Sequence, residues 1–201
     1  MKKLIIILSI LILVACSVFA VESQAIRVTT MIESKKPVFV LKAGLSPDSF
    51  DRAVSNDGST SILGWETVEK SIKAEDVVIY FEVVQKGDAR QGGEKYSLTI
   101  EASEMTLGFN EDGSVLAPNT KIYKTPKGII SNVAAVSTER AIVAVSNVKT
   151  IANDSATIVA EYLGAVEDGT PIAKFTVTWP KDIDAPDGIY QASVILKVSQ
   201  Q

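Results

Sequence analysis

Several groups of side chains in this 201-residue chain have types and spacings that could do chemistry. Asp182-x-Asp184-x-x-Asp187 gathers three carboxylates in one short segment, and oxygen ligands of that kind are what Ca²⁺ takes. The spacing falls short of a full calcium-loop motif, and Asp beside Pro186 and Gly188 is ordinary turn composition, so no metal is assigned. Glu101 and Glu104 offer a carboxylate pair of the sort glycoside hydrolysis uses, although paired acids also arise by chance at a solvated strand end. Trp65 and Trp179 could stack on a ligand, but a Trp that closes an alternating strand is usually core. Cys16 is the one thiol, and Leu13-Val14-Ala15-Cys16 has the form of a lipobox, in which the cysteine is acylated.

Composition narrows these options further. The chain has no histidine, which excludes Ser-His-Asp and Cys-His catalysis, His-bearing zinc sites and imidazole acid/base work near neutral pH. A single cysteine excludes an internal disulfide and any multi-thiolate metal site. The chain is therefore expected not to be an enzyme and to carry no cofactor; a carboxylate hydrolase would need two acids converging in a cleft. There are 24 acidic residues against 20 basic ones and no basic cluster. Such a chain lacks the positive footprint that nucleic acid or an anionic membrane surface requires, so neither is an expected partner.

Lys2 and Lys3 precede an apolar run over 4–20 that is interrupted only by Ser9 and Ser17, the pattern of a secretory signal peptide over residues 1–20. The run is at the short edge of a membrane span and no second one follows, so an integral membrane protein is not expected. Two processing routes fit. Cleavage after Val18-Phe19-Ala20 starts the mature chain at Val21 with no cysteine, whereas the lipobox route makes Cys16 an acylated first residue and the only membrane anchor. The apolar run continues past Cys16 without giving way to a polar tether, which favours the first. Removing residues 1–20 leaves 18 basic residues against 24 acidic.

Period-two patterns dominate the rest of the chain. Tyr190, Ala192, Val194, Leu196 and Val198 share one face of a strand, with Gln191, Ser193, Lys197 and Ser199 on the other. Ala173, Phe175, Val177 and Trp179 alternate likewise until Pro180, as do Tyr96, Leu98 and Ile100. The run 77–84 reads as a central strand, and further strands are expected over 26–32, 38–41, 141–147 and 156–163. Turn signals stand between them at Asp57-Gly58, Gly92-Gly93, Asp112-Gly113, Lys127-Gly128, Asp168-Gly169 and Asp187-Gly188. Short strands at regular spacing, with no sustained 3.6-residue period, predict an all-β, immunoglobulin-like antiparallel sandwich. Leu107-Gly-x-x-Glu-Asp-Gly-Ser and Leu163-Gly-x-x-Glu-Asp-Gly-Thr read as two hairpins with the same turn chemistry. Asp76, Glu82, Asp88, Arg90, Glu94 and Lys95 read as surface charges around a further hairpin. No linker divides the chain: residues 21–34 are an N-terminal extension or first strand, and 35–201 one sandwich domain.

The two ends carry a resemblance. Val21-Glu22-Ser-Gln-Ala-Ile26-Arg-Val28-Thr29 after a signal ending in Ala resembles the mature N-termini of alpha-type chaperone-usher pilins, the colonisation-factor and cable pilins. Gly188-Ile-Tyr190 leading into an alternating last strand is similar to the ending of many fimbrial subunits. Together these stretches cover about 28 residues, and a cysteine-free mature chain agrees with that family. The resemblance implies a sandwich lacking its last strand, with an open edge beside the C-terminal strand. A periplasmic chaperone, and then the N-terminal extension of a neighbouring subunit, would fill it. On that reading Ile26, Val28, Thr30 and Ile32 are the donated strand, and Tyr190, Val194, Leu196 and Val198 line the acceptor edge. The chain would then be an exported subunit of a cell-surface fibre that passes through the periplasm, with a host-surface receptor as a further possible partner. The alternative from the residues themselves is a self-contained sandwich, anchored in the cell envelope through Cys16 and serving as a binding module.

Overall fold

The computed structural model describes residues 25–33, 39–50, 52–53, 62–69, 72–87, 92–136, 141–146 and 154–201. Through them run thirteen strands: β1 (Ala25–Glu33), β2 (Phe39–Gly44), β3 (Arg52–Ala53), β4 (Ile62–Glu69), β5 (Val77–Gln85), β6 (Lys95–Ala102), β7 (Glu104–Phe109), β8 (Lys124–Lys127), β9 (Ile129–Ala135), β10 (Ala141–Ser146), β11 (Ser155–Tyr162), β12 (Pro171–Trp179) and β13 (Ile189–Gln200).

They form two sheets packed face to face, the all-β sandwich expected from the alternating patterns. The larger sheet has the order β10-β11-β6-β13-β1-β4, with β7 beside β13 and β8 beside β7; the smaller has the order β3-β2-β5-β12-β9. Strands far apart in sequence lie side by side, as β5 does with β12 and β6 with β13, in the immunoglobulin-like manner. Among the described residues every strand pairing but one is antiparallel; β1 runs parallel to β13.

The period-two faces become the core. Leu98, Ile100, Ile158, Val194 and Leu196 from the larger sheet meet Phe39, Leu41, Phe81, Val83, Val177 and Trp179 from the smaller, all fully buried. Burying one such side chain stabilises the fold by about 1.5–3 kcal/mol. Aromatic rings stitch the interior: Phe81 stacks on Phe175 at 5.0 Å, and Tyr96 meets Phe39 and Tyr162 edge to face at 5.6 and 6.0 Å. Hydrogen bonds also cross the interior. The Tyr162 hydroxyl donates to Gln85 Oε1 at 2.6 Å, and Trp179 Nε1 donates to the Ser103 carbonyl at 2.8 Å.

The structure corrects three expectations. β5 and β6 lie in different sheets and make no hairpin. Glu82 is no surface charge: it is buried on the outer face of β5, with Lys174 at 3.8 Å as its cation. Asp88 and Arg90 lie outside the described residues. The two similar turns also differ in role. The first closes locally through the Phe109–Val115 bridge, whereas the second carries the chain from β11 in one sheet to β12 in the other.

Candidate functional site

The arrangement that joins the two ends of the chain is the seam between β13 and β1. Alternation fixes β13: Tyr190, Ala192, Val194 and Leu196 are buried, while Gln191, Ser193 and Ile195 are only partly so. The strand begins after Gly188, whose φ of +147° suits glycine and whose absent Cβ would lie 2.5 Å from Leu107 Cδ1.

One flank of β13 is closed by two successive strands. β6 pairs with it from Val194 to Gln200, and β7 from Ile189 to Gln191. Ser103 bridges the break between them. Its N–H donates to the Ser193 carbonyl at 2.9 Å, and its Oγ accepts from the Ser193 N–H at 2.9 Å while donating to the Glu104 carbonyl at 2.8 Å. A serine can do this because its hydroxyl is both donor and acceptor. Near its start, β13 is fastened by Tyr190, whose hydroxyl donates to the Pro186 carbonyl at 2.8 Å. Burial holds that phenol well above the usual tyrosine range, and the nearby Tyr123, Asp182 and Asp187 push it the same way.

β1 occupies the other flank. Ile26, Val28, Thr30 and Ile32 stand in register with Tyr190, Ala192, Val194 and Leu196, so the donor positions read from sequence sit opposite the buried row of β13. Tyr190, Val194 and Leu196 are thus partners of β1 positions of the same chain. Val198 is half-buried against the core and lies beyond the last β1 pair, Glu33 with Lys197. Two features escaped the sequence reading. Ala192 is the register partner of Val28, a role its place on the alternating face could have signalled. β4 is the second neighbour of β1, antiparallel to it, with a register shift between Thr29 and Thr30. Residues 34–38 join β1 to β2 in the opposite sheet.

In the other candidate groups, Glu101, Glu104, Asp182 and Asp187 are each bound to a neighbouring side chain. Glu101 and Glu104 line a cleft of about 470 Å³ with Ser103, Lys127, Asp154 and Ser155. Each carboxylate has a lysine: Lys197 is 2.9 Å from Glu101 and Lys124 is 2.8 Å from Glu104. The hydrogen bond from Lys124 holds the Glu104 carboxyl below the usual glutamate range, the opposite of what a proton-donating acid needs. Of the three aspartates, Asp182 accepts from the Tyr123 hydroxyl at 2.6 Å and from the Asp184 N–H at 3.1 Å, while Asp187 pairs with Lys73. Among the described residues no three potential ligands are placed to hold a metal ion. Trp179 is fully buried core. Trp65 sits on β4 opposite Thr29 in the backbone register. Cys16 lies outside the described residues. Among them, no helix is long and apolar enough to cross a membrane.

Neither the protein-family models nor the curated proteins include a match to this chain.

Proposed function

We propose that this chain is an exported structural or adhesive subunit of a cell-surface fibre, and that β1 and the flank of β13 that it covers form its assembly joint by strand exchange. The observation that supports this reading most is the odd pairing of β1. Among the described residues it is the first strand and the single parallel partner in an otherwise antiparallel sandwich, and its apolar positions stand in register with the buried row of β13. Parallel pairing is slightly less stable per residue than antiparallel pairing. A strand from a neighbouring copy arriving antiparallel would therefore compete on favourable terms for the same edge.

The test is a disulfide trap. Thr29 and Ser193 are register partners in the parallel pairing, and an antiparallel strand that sets Val28 opposite Val194 and Thr30 opposite Ala192 brings the same two residues face to face, within disulfide reach. Thr29→Cys/Ser193→Cys, in a Cys16→Ser background, should give a ladder of cross-linked multimers under oxidation. Adding Ile26→Asp and Val28→Asp should remove the ladder. Cross-linked monomer alone would overturn assembly in trans.

One observation favours a second reading. β1 is already held within the same chain by β13 on one side and β4 on the other, which suits a self-contained sandwich acting as an envelope binding module. Exclusive cross-linking in cis, together with a mature N-terminal mass that corresponds to acylated Cys16, supports that alternative.

A further inference from the structure

A strand at the end of a sheet presents a row of unpaired N–H and C=O groups, and sandwich proteins blunt such edges against stray pairing. Among the described residues, five strands pair on one flank only: β3, β4, β8, β9 and β10. Four are blunted, each differently. β3 is two residues long. β8 holds Pro126, which has no N–H, between Lys124 and Lys127. β9 is irregular where its register on β12 shifts, and Asn132 there takes a left-handed φ of +51°. β4 carries Gly64, Glu66 and Glu69.

β10 has none of these devices within its own strand, although β9 and β12 of the smaller sheet pass close to it. Its six residues, Ala-Ile-Val-Ala-Val-Ser, include no charge, no proline and no glycine. Its register on β11 is unbroken from Ala141 opposite Tyr162 to Ser146 opposite Thr157.

We infer that β10 is a self-association edge, and that two copies of this chain join by antiparallel pairing of their β10 strands across a twofold axis. The makeup of the strand selects a second copy as occupant. The chain as a whole is acidic, yet β10 brings no like charges together when it meets itself. The register also permits it. Ala141, Val143 and Val145 are opposite the buried Tyr162, Ala160 and Ile158, while Ile142, Ala144 and Ser146 are opposite Glu161, Val159 and Thr157, none of which is buried. A one-residue slip would set core-face positions against outer-face ones, so the axis must pass through a residue near the middle, Val143 or Ala144. Pairing of this kind is isologous and closes at a dimer. In the order of the sheet, β11, β6 and β13 separate β10 from β1, so this contact is independent of strand exchange at β13.

Sedimentation of the purified chain over a dilution series tests it. The expected result is a reversible dimer whose dissociation constant weakens at least about tenfold in Ala144→Lys, which sets a charge on the strand beside its copy. Ala144→Ser should retain the dimer, and so should Ile26→Asp/Val28→Asp, which targets only the assembly joint. A chain that stays monomeric, or a dimer indifferent to Ala144→Lys, would overturn the inference. If Ala144→Lys does not fold, hydrogen exchange of the unmodified chain decides. Protection of the 141–146 amides must rise with protein concentration, and constant protection also overturns it.

Discussion

Trp179 and Ser103 are bound across the sandwich: the indole Nε1 at the end of β12 donates to the carbonyl at the break between β6 and β7, 2.8 Å away. The same carbonyl accepts from the Gly128 N–H at 3.1 Å. A buried ring in one sheet thus fixes the residue that organises the closed flank of β13 in the other.

Trp179→Phe removes that donor but leaves the carbonyl partnered by Gly128. The expected loss is about 1–3 kcal/mol, from one hydrogen bond and the smaller ring. It should appear as a lower urea midpoint with an unchanged m-value. A variant as stable as the parent would show that the bond contributes nothing.

Glycines at two turns separate backbone strain from collision. At Gly169 φ is +82° and a Cβ would meet nothing within 4 Å, so Gly169→Ala should cost only the left-handed backbone term, about 1–2 kcal/mol. At Gly188 a Cβ would also lie 2.5 Å from Leu107 Cδ1 and 2.6 Å from the Phe109 carbonyl oxygen. Gly188→Ala should cost at least about 1 kcal/mol more than Gly169→Ala, as read by thermal or urea denaturation. Equal losses would place the collision in doubt.

Alkaline titration should resolve two late tyrosines. Burial raises Tyr190, and the hydrogen bond to Asp182 raises Tyr123. A raised phenol pKa favours the neutral form in the folded state. The stability it contributes is therefore complete below the ordinary tyrosine range and is lost as pH rises toward the folded-state value. Phenolate absorbance should show Tyr190 ionising together with unfolding. Tyr190→Phe should remove that late step.

On the acid side the sign reverses. Glu104 is held low chiefly by the Lys124 hydrogen bond, so its contribution is present above the ordinary glutamate range and lost as pH falls through the lowered value. The pair is solvent-exposed and its contribution to stability small. Lys124→Ala should move the Glu104 carboxyl titration, followed by carbon NMR, up toward the ordinary value. With no histidine to titrate, stability should vary little between about pH 6 and 8.

Strands that bury one regular face were legible in the sequence. Tyr190 to Val198, Ala173 to Trp179 and Tyr96 to Ile100 each alternate cleanly because one side packs on the core, and each is a strand. The strands that went unread lack that signature for physical reasons. β8 contains Pro126 and buries only Thr125. β9 breaks its own alternation at Asn132. β7 follows β6 after one residue, so the kink at Ser103 is invisible without the hydrogen bonds to Ser193 that produce it. At the seam, sequence brought out both alternating faces but not the direction of pairing. Register between strands more than 150 residues apart depends on the whole sandwich.

The parallel course of β1 beside β13 also sets how the molecule carries a load. Ile26 is level with Tyr190, while the chain leaves the sheet eleven residues further on at Gln201, roughly 36 Å away at the rise of a strand. A pull applied between residue 25 and residue 201 draws the two strands past each other along their length. All the bonds of the seam then bear the force together, in shear, where a hairpin pulled at its open end would give way one rung at a time.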